Sequence, residues 1–386
     1  MTLPGKLCVG ILEEDNPQKS YFRFKPLLVA QEDGYAPFSD GAPRRAAGEA
    51  RRAARMGRLR AGLRGVLMKR SHLLAAGAAG TAAAGAALLG AAYGVYRLGF
   101  YHAAEPEVLA TEELIRTLPY GAQMERDAAA LAAAPCEAVH ITADDGVRLA
   151  GRYYHHADGA PLAIIFHGYK GFARRDGLGG YTLCKRLGFN VLLPDQRSHG
   201  ASGGHTITMG VKERYDCRAW AWWAARRFGP ETPLFLMGVS MGASTVLMAS
   251  SLNLPGSVRG IIADCGYTSP REIARRCLPQ YLPRLPVGPM YAIGRLGTLV
   301  FGRFDPEDAD CRRAVAHTDI PILFIHGEAD DFVPCAMSRE NYAACASPKR
   351  LLTIPGAGHA VSCYVAPAAY AEAVERFLHD CLTGTV

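Results

Sequence analysis

The chain lacks any Cys-X-X-Cys pair, although it holds 11 cysteines in 386 residues. It also lacks a helical His pair at i, i+4 with a carboxylate beside it, because His155-His156 and His199 with His205 do not have that spacing. No metal is assigned. No Gly-X-X-X-X-Gly-Lys-Ser/Thr phosphate loop occurs, and no strand-linked Gly-X-Gly-X-X-Gly opens a helix, so neither a nucleotide nor any other cofactor is implied. The cysteines are odd in number and follow no spacing pattern. Several, such as Cys184, Cys217 and Cys265, sit in core-like runs, which reads as reduced thiols and not as a disulfide framework. Cys335 and Cys363 alone allow one local bridge.

Acidic residues are almost missing from 44–70, where ten Lys or Arg face the single Glu49. That segment therefore carries +9 of a chain total of +7, and the remainder is about −2. The basic character belongs to a tail. Nucleic-acid binding by the rest of the chain is not expected, while a basic arm touching anionic lipid or RNA stays open. Charge is then absent altogether from Leu73 to Tyr96, 24 residues rich in Ala and Gly. This is enough to cross a ~30 Å hydrocarbon layer. A basic cluster just before such a stretch orients it with its N-terminus in the cytoplasm. The reading is an N-terminal signal anchor over 71–98, against a cleaved signal peptide or a buried helix. Residues 1–70 form a basic extension in which no fold is expected, and 99–135 a linker and helical lead-in. The following domain then lies outside the cytoplasm at the cell membrane, which sits uneasily with its reduced cysteines.

The centre of the chemistry is Gly238-Val239-Ser240-Met241-Gly242, set between the apolar run Leu234-Phe235-Leu236-Met237 and the helix-like Ala243 to Ala249. A strand that turns sharply into a helix at a serine needs small residues two before and two after it, since a Cβ there meets neighbouring backbone. The hydroxyl is thereby pushed out of the sheet. A second strand, Ile322 to Ile325, ends in His326-Gly327-Glu328-Ala329-Asp330-Asp331, and a third, Arg350 to Ile354, ends in Pro355-Gly356-Ala357-Gly358-His359. A serine hydroxyl is a poor nucleophile at neutral pH. It needs an imidazole to take its proton and a carboxylate to hold that imidazole in the useful tautomer. Ser240, His359 and Asp330 take these roles, with Asp331 as the rival acid and Asp264 behind it. The run Leu162 to Phe166 opens into His167-Gly168-Tyr169-Lys170-Gly171, where the Tyr169 amide is one candidate donor to a developing oxyanion. The Met241 amide, just after the serine, is the other.

The stretch from about 137 to 381 resembles the α/β-hydrolase superfamily, within it the serine aminopeptidase-like and esterase-like branch of bacterial membrane-associated hydrolases. The residues that carry the likeness are His167-Gly168-Tyr169, Asp195 to Gly204, the elbow at Ser240, Ala263 to Ser269, His326 to Asp330, and Gly358-His359. The resemblance implies that the Asp195, Arg197, His199 segment is structural and frames the catalytic end of the sheet.

A hairpin over 137–154 and strands near 162–167, 190–194, 234–239, 259–264, 321–326 and 350–354 alternate with helix-like segments. The expected fold is α/β, a doubly wound and mostly parallel sheet in a domain over 136–386. Tyr215 to Phe228, with its three Trp, is a helix packed on that sheet. Between Asp264 and Pro321 lies an insertion too long for a simple connection, expected as a helical lid over about 268–318. Its apolar residues favour an acyl or aromatic ester over a sugar, and Arg271, Arg275, Arg276 and Arg284 read as a solvated face. The expected activity is a serine hydrolase acting on a small-molecule ester or acyl substrate, with thioester or peptide bonds as variants. The alternative is a catalytically silent fold used as a membrane-anchored binding or scaffold protein.

Overall fold

A computed structural model describes residues 44–103, 118–281 and 283–386. The apolar runs form eight strands of one sheet, each short and rich in β-branched or large apolar residues. These are β1 (Glu137–Thr142), β2 (Arg148–Tyr154), β3 (Leu162–Phe166), β4 (Asn190–Asp195), β5 (Leu234–Val239), β6 (Val258–Asp264), β7 (Ile322–Gly327) and β8 (Lys349–Ile354). Their spatial order is β1-β2-β4-β3-β5-β6-β7-β8. The pairs β1/β2 and β2/β4 are antiparallel and the rest parallel, so the mostly parallel, doubly wound sheet is borne out.

The helices, in chain order, are α1 (Arg44–Gly99), α2 (Gly121–Ala133), α3 (Ala173–Asp176), α4 (Leu178–Arg186), α5 (Glu213–Phe228) and α6 (Met241–Ala249). Then follow α7 (Pro270–Tyr281), α8 (Val287–Gly297), a π-helical turn Thr298–Gly302, α9 (Cys311–Val315), α10 (Cys335–Ala344), α11 (Ser362–Val365) and α12 (Pro367–Thr383). Helices cover both faces of the sheet, which explains why β3, β4 and β7 are buried along their whole length and read as unbroken apolar runs. On one face Trp220 and Ala221 of α5 and Val246 of α6 pack against Ile164 and Leu236. On the other, Tyr181 of α4 and Phe377 of α12 pack against Ile165, Phe235 and Leu323. Burying each such strand side chain contributes about 1.5–3 kcal/mol.

Chain direction across the sheet reverses between β3 and β5, because β4 lies to one side of β3 and β5 to the other. The loops leaving these two strands diverge, and the crevice between them is where an open α/β sheet presents a ligand. The register Phe166↔Gly238 puts the two strand ends level. The turn at the end of β5 holds Ser240 at φ 55°, ψ −115°. A Cβ on Gly238 would come to 2.2 Å from the Gly242 carbonyl carbon, and one on Gly242 to 2.0 Å from Phe166 O. Both glycines are required by this close approach, as the motif predicts.

Two sequence expectations change. Arg44–Arg70, expected to have no fold, is helical and continuous with the apolar stretch, since α1 runs from Arg44 to Gly99. The run is rich in Ala, Leu and Arg, all strong helix formers. The rest of the extension, 1–43, and most of the lead-in, 104–117, lie outside the described residues. The cysteines of the described residues, Cys335 and Cys363 among them, are all free, so no bridge joins those two. The chain divides into a unit ending at Ala76 and one from Gly77 to Val386. Among the described residues one helix is long and apolar enough to cross a membrane, within Gly48–Gly99, and its most apolar window is not buried. The insertion is helical, as α7, α8 and the π-helical turn.

Gly242→Ala is expected to destabilise the folded domain by about 3 kcal/mol, the upper end for overpacking, since the new methyl has only backbone to push against. Gly256→Ala, where nothing lies within 4 Å of the added carbon, is expected to stay within about 0.5 kcal/mol. Thermal unfolding of the two purified variants checks the contrast.

Candidate active site

Four strand ends deliver the site. Ser240 follows β5, and its Oγ lies 2.9 Å from Nε2 of His359 in the loop after β8. His359 Nδ1 lies 2.6 Å from Oδ2 of Asp330 in the loop after β7. With the imidazole neutral, Nδ1–H donates to the carboxylate and Nε2 is left to accept from the serine. Ser240 and Asp330 are buried, each 7 % exposed, while His359 is half-buried. Ser240 is a non-glycine residue in left-handed φ space, a strained conformation that concentrates at reacting sites.

Asp330 is held from several sides. Its Oδ1 accepts the Phe332 amide at 3.0 Å and the Val333 amide at 2.8 Å, and its Oδ2 also lies 3.3 Å from Nε2 of the fully buried His326. Burial alone would raise this carboxyl. The hydrogen bonds from His326 and His359, with the Val333 amide, prevail and hold it well below the usual carboxylate range. Asp331 is exposed, and what it offers its surroundings is its backbone oxygen, which accepts Arg276 Nη2 at 3.2 Å.

Asp264, at the end of β6, sits behind the three residues. Burial pushes its carboxyl up to about 6, against the opposing influence of His326, His359 and a hydrogen bond from Tyr370. Its Oδ1 is buried without a hydrogen-bond partner among the described residues.

The loop after β3 is fixed by an array of neutral imidazoles. Gln196 N donates to His167 Nε2 at 2.9 Å, which leaves His167 Nδ1–H for Gly168 O at 2.8 Å. Gln196 Nε2 donates to His167 O, and Gly168 N to Asp176 Oδ2 at 2.9 Å. His199 accepts the Lys170 amide at 3.1 Å on Nε2 and gives Nδ1–H to Arg197 O at 2.9 Å. Burial, reinforced by His167 beside it, holds His199 well below its ordinary value, so it stays neutral and keeps its acceptor. Arg197 forms ion pairs with Asp216 at 2.6 Å and Asp145 at 2.8 Å, and Asp195 accepts the Ala201 amide at 3.0 Å. The Asp195, Arg197, His199 segment thus braces the loops around Ser240 and reaches none of the three central side chains. A Cβ on Gly168 would lie 3.5 Å from the Ser240 Cβ, so the Gly168–Tyr169 backbone borders the nucleophile.

Sequence reasoning missed Asp176, Gln196 and the hold of His326 on Asp330. His326 lay inside a motif that was noticed. Gln196 lay inside the noticed run from Asp195, but its bond to His167 O, like that of Asp176 to the Gly168 amide, is to a backbone group that no side-chain pattern marks. Three potential ligands, Cys265, Asp330 and His359, offer atoms within 4.8 Å of one another. Burial, with Asp264 and Asp330 nearby, pushes the Cys265 thiol well up and keeps it neutral. A cation there would have to displace the bond from His359 to Asp330.

Two arginines of the insertion have partners within the chain. Arg271 pairs with Glu307 at 3.2 Å, and Arg275 stands 5.8 Å from the Tyr291 ring centre. A surface cleft of about 600 Å³, lined by Ser250, Arg259, His317 and Asp319 among others, lies at the opposite ends of the strands and carries none of these groups.

Residues 160–291 match the family model described as serine aminopeptidase, S33. The esterase Pf2001 of Pyrococcus furiosus superposes with a TM-score of 0.53 at 21% identity, covering 72% of this chain and 97% of that one. The chain has the α/β-hydrolase fold. A second α/β-hydrolase of known structure, Est1E from Butyrivibrio proteoclasticus with ferulic acid bound, has a TM-score of 0.50 at 20% identity, covering 64% of this chain and 99% of that one. Among curated relatives of this α/β-hydrolase, the uncharacterized protein YqkD of Bacillus subtilis (strain 168) is 28% identical over 195 residues, half of this chain. The match spans 63% of YqkD's length.

Asp264 is expected to make this α/β-hydrolase less stable as pH rises. A carboxyl whose folded pKa is about 6, against 3.8 for the ordinary group, binds more protons folded than unfolded between those values. Raising the pH from 5 to 8 is expected to cost wild type about 1 kcal/mol that Asp264→Asn does not lose. Urea unfolding of both proteins at the two pH values measures the difference, and parallel curves would refute it.

Proposed function

We propose that this α/β-hydrolase is a serine hydrolase that cleaves carboxylic esters through an acyl-enzyme intermediate. The observation that carries the reading is the continuous relay from Ser240 Oγ to His359 Nε2 at 2.9 Å and from His359 Nδ1 to Asp330 Oδ2 at 2.6 Å. In this reading Ser240 Oγ attacks the ester carbonyl carbon while His359 takes its proton. The tetrahedral oxyanion is met by the amides of Tyr169 and Met241. The imidazolium is stabilised by Asp330, which its hydrogen bonds keep ionised. Collapse breaks the bond to the leaving alcohol, which receives the proton from His359. Water then enters by the same route, with His359 as base, releases the acid and restores Ser240.

An acyl or aromatic ester is preferred over a sugar because of the partly apolar insertion, where Met290 and Tyr291 are buried and Leu285, Leu299 and Val300 are exposed. The esterases of similar fold, one holding an aromatic acid, are consistent with an acyl or aromatic ester. In the same proposal the uncharged stretch that begins at Leu73 anchors the enzyme in the cell membrane by a single pass, with the basic 44–70 segment on the cytoplasmic side, the hydrolase domain outside and the end of the stretch, from Ala92, packed on that domain.

Ser240→Ala is expected to abolish hydrolysis of short p-nitrophenyl esters and to block labelling by a fluorophosphonate probe, while melting as wild type does. Wild type that resists the probe would point instead to a silent fold serving as a scaffold. His359→Ala is expected to fall nearly as far, with the double variant no worse, because the residues act as a unit. Asp330→Asn is expected to lower kcat by on the order of 10⁴ by allowing the wrong imidazole tautomer, and Asp331→Asn to change it little. Steady-state kinetics giving the reverse ranking would move the acid to Asp331. The anchor is checked separately. The full chain is expected to stay with membranes through an alkaline carbonate wash, and its release would remove that part of the proposal.

A further inference from the structure

The last turn of α1 meets the loop after β3, whose Gly168 borders the nucleophile. A helix terminus leaves its final carbonyls without intrahelical partners, and two side chains of the loop after β3 take those of α1. The Tyr169 hydroxyl donates to Gly99 O at 2.7 Å, and Lys170 Nζ donates to Leu98 O at 3.2 Å. The ammonium also meets the negative end of the helix dipole. A third tie runs through His102, whose ring lies 4.9 Å from that of His199, the residue accepting the Lys170 amide.

The acceptor side of these ties, the end of α1, is itself well held. Tyr96 Oη and Thr206 Oγ1 share a hydrogen bond at 2.7 Å, the His102 amide donates to His205 O at 3.0 Å, and the Ile207 amide donates to Phe100 O at 2.8 Å. Against the lid, α1 crosses α8 so closely that a Cβ on Gly297 would stand 2.3 Å from Ala92 O. Tyr93 and Tyr96 both pack on Phe301. Lys170, next to the candidate oxyanion donor, is a non-glycine residue at φ +49°, a conformation that persists only where its surroundings over-determine it. Here the surroundings include the end of α1.

We propose that the Tyr169 side chain is a positioning residue for its own backbone amide: its bond to Gly99 O aims that N–H at the oxyanion, and the end of α1 is thereby a structural part of the oxyanion hole. The proposal rests on the serine-hydrolase reading. It assigns α1 a second task besides anchoring, since a shift of its last turn displaces the Tyr169–Lys170 backbone although α1 carries no reacting group. Losing an oxyanion donor outright lowers kcat by about 10²–10³, so a donor left in place but less firmly aimed should lose less.

The test uses the full-length protein carrying Tyr169→Phe, which keeps the ring and removes the hydroxyl. The expected result is a kcat about tenfold lower with KM within twofold. Affinity for a boronic acid, which forms a tetrahedral adduct with the serine and needs the hole, should weaken by a similar factor while the melting temperature hardly moves. A packing role would move stability and leave the split between kcat and KM, and the boronate affinity, unchanged. If Tyr169→Phe does not fold, Lys170→Met is read in the same way, because it removes the donor to Leu98 O and keeps the stem. Values of kcat and boronate affinity within twofold of wild type in a folded variant overturn the proposal. Wild type that is not labelled by a fluorophosphonate overturns the hydrolase reading instead, so the two failures are told apart.

Discussion

The close backbone approach at the end of β5 governs the rest of the structure. Gly242 stands so near Phe166 O that no side chain fits between them, and Gly238 presses equally on Gly242. That contact locks the β5–α6 turn against the end of β3. It brings the serine and the loop holding Tyr169 to one point, where the sheet's direction reverses. It also forces Ser240 into a backbone conformation that a non-glycine residue seldom adopts, a strain the packed sheet on both sides is able to hold.

Around this point the polar groups are arranged by tautomer and by burial. His167 and His199 are neutral spacers that each accept one backbone amide and donate to one backbone carbonyl, so they fix loops without adding charge. Asp330 keeps its charge because its amide and imidazole donors outweigh its burial, whereas Asp264, with one oxygen unpartnered among the described residues, is pushed toward the neutral form. Two carboxyls in one buried neighbourhood are thus driven apart in pKa, and Asp330 is the one bonded to His359.

Much of the chain's organisation was legible locally. Strand ends agree with expectation to within a residue because fully buried parallel strands read as unbroken apolar runs. The helix with the three Trp begins at Glu213 and not at Tyr215, a shift of two residues at a helix end. The helicity of Arg44–Arg70 was missed because the segment has no sustained hydrophobic periodicity, whereas its Ala, Leu and Arg favour helix by propensity alone.

Ser240, Asp330 and His359 could be nominated from sequence because each follows a recognisable strand, and each signal is confined to a few consecutive residues. By itself the sequence determined the strands, their alternation with helices, the glycines that an elbow demands and the uncharged stretch before the domain, all of which are local or periodic. The tertiary structure alone decided which acid faces the imidazole. Asp330 and Asp331 are chemically the same, and only the direction in which the loop turns distinguishes them. It alone also joined Asp176 to Gly168, Gln196 to His167 and Tyr169 to the carbonyl of Gly99, 70 positions away. Such bonds have one partner in the backbone, whose amides and carbonyls are the same at every residue, so no pattern of side chains announces them before the chain has folded.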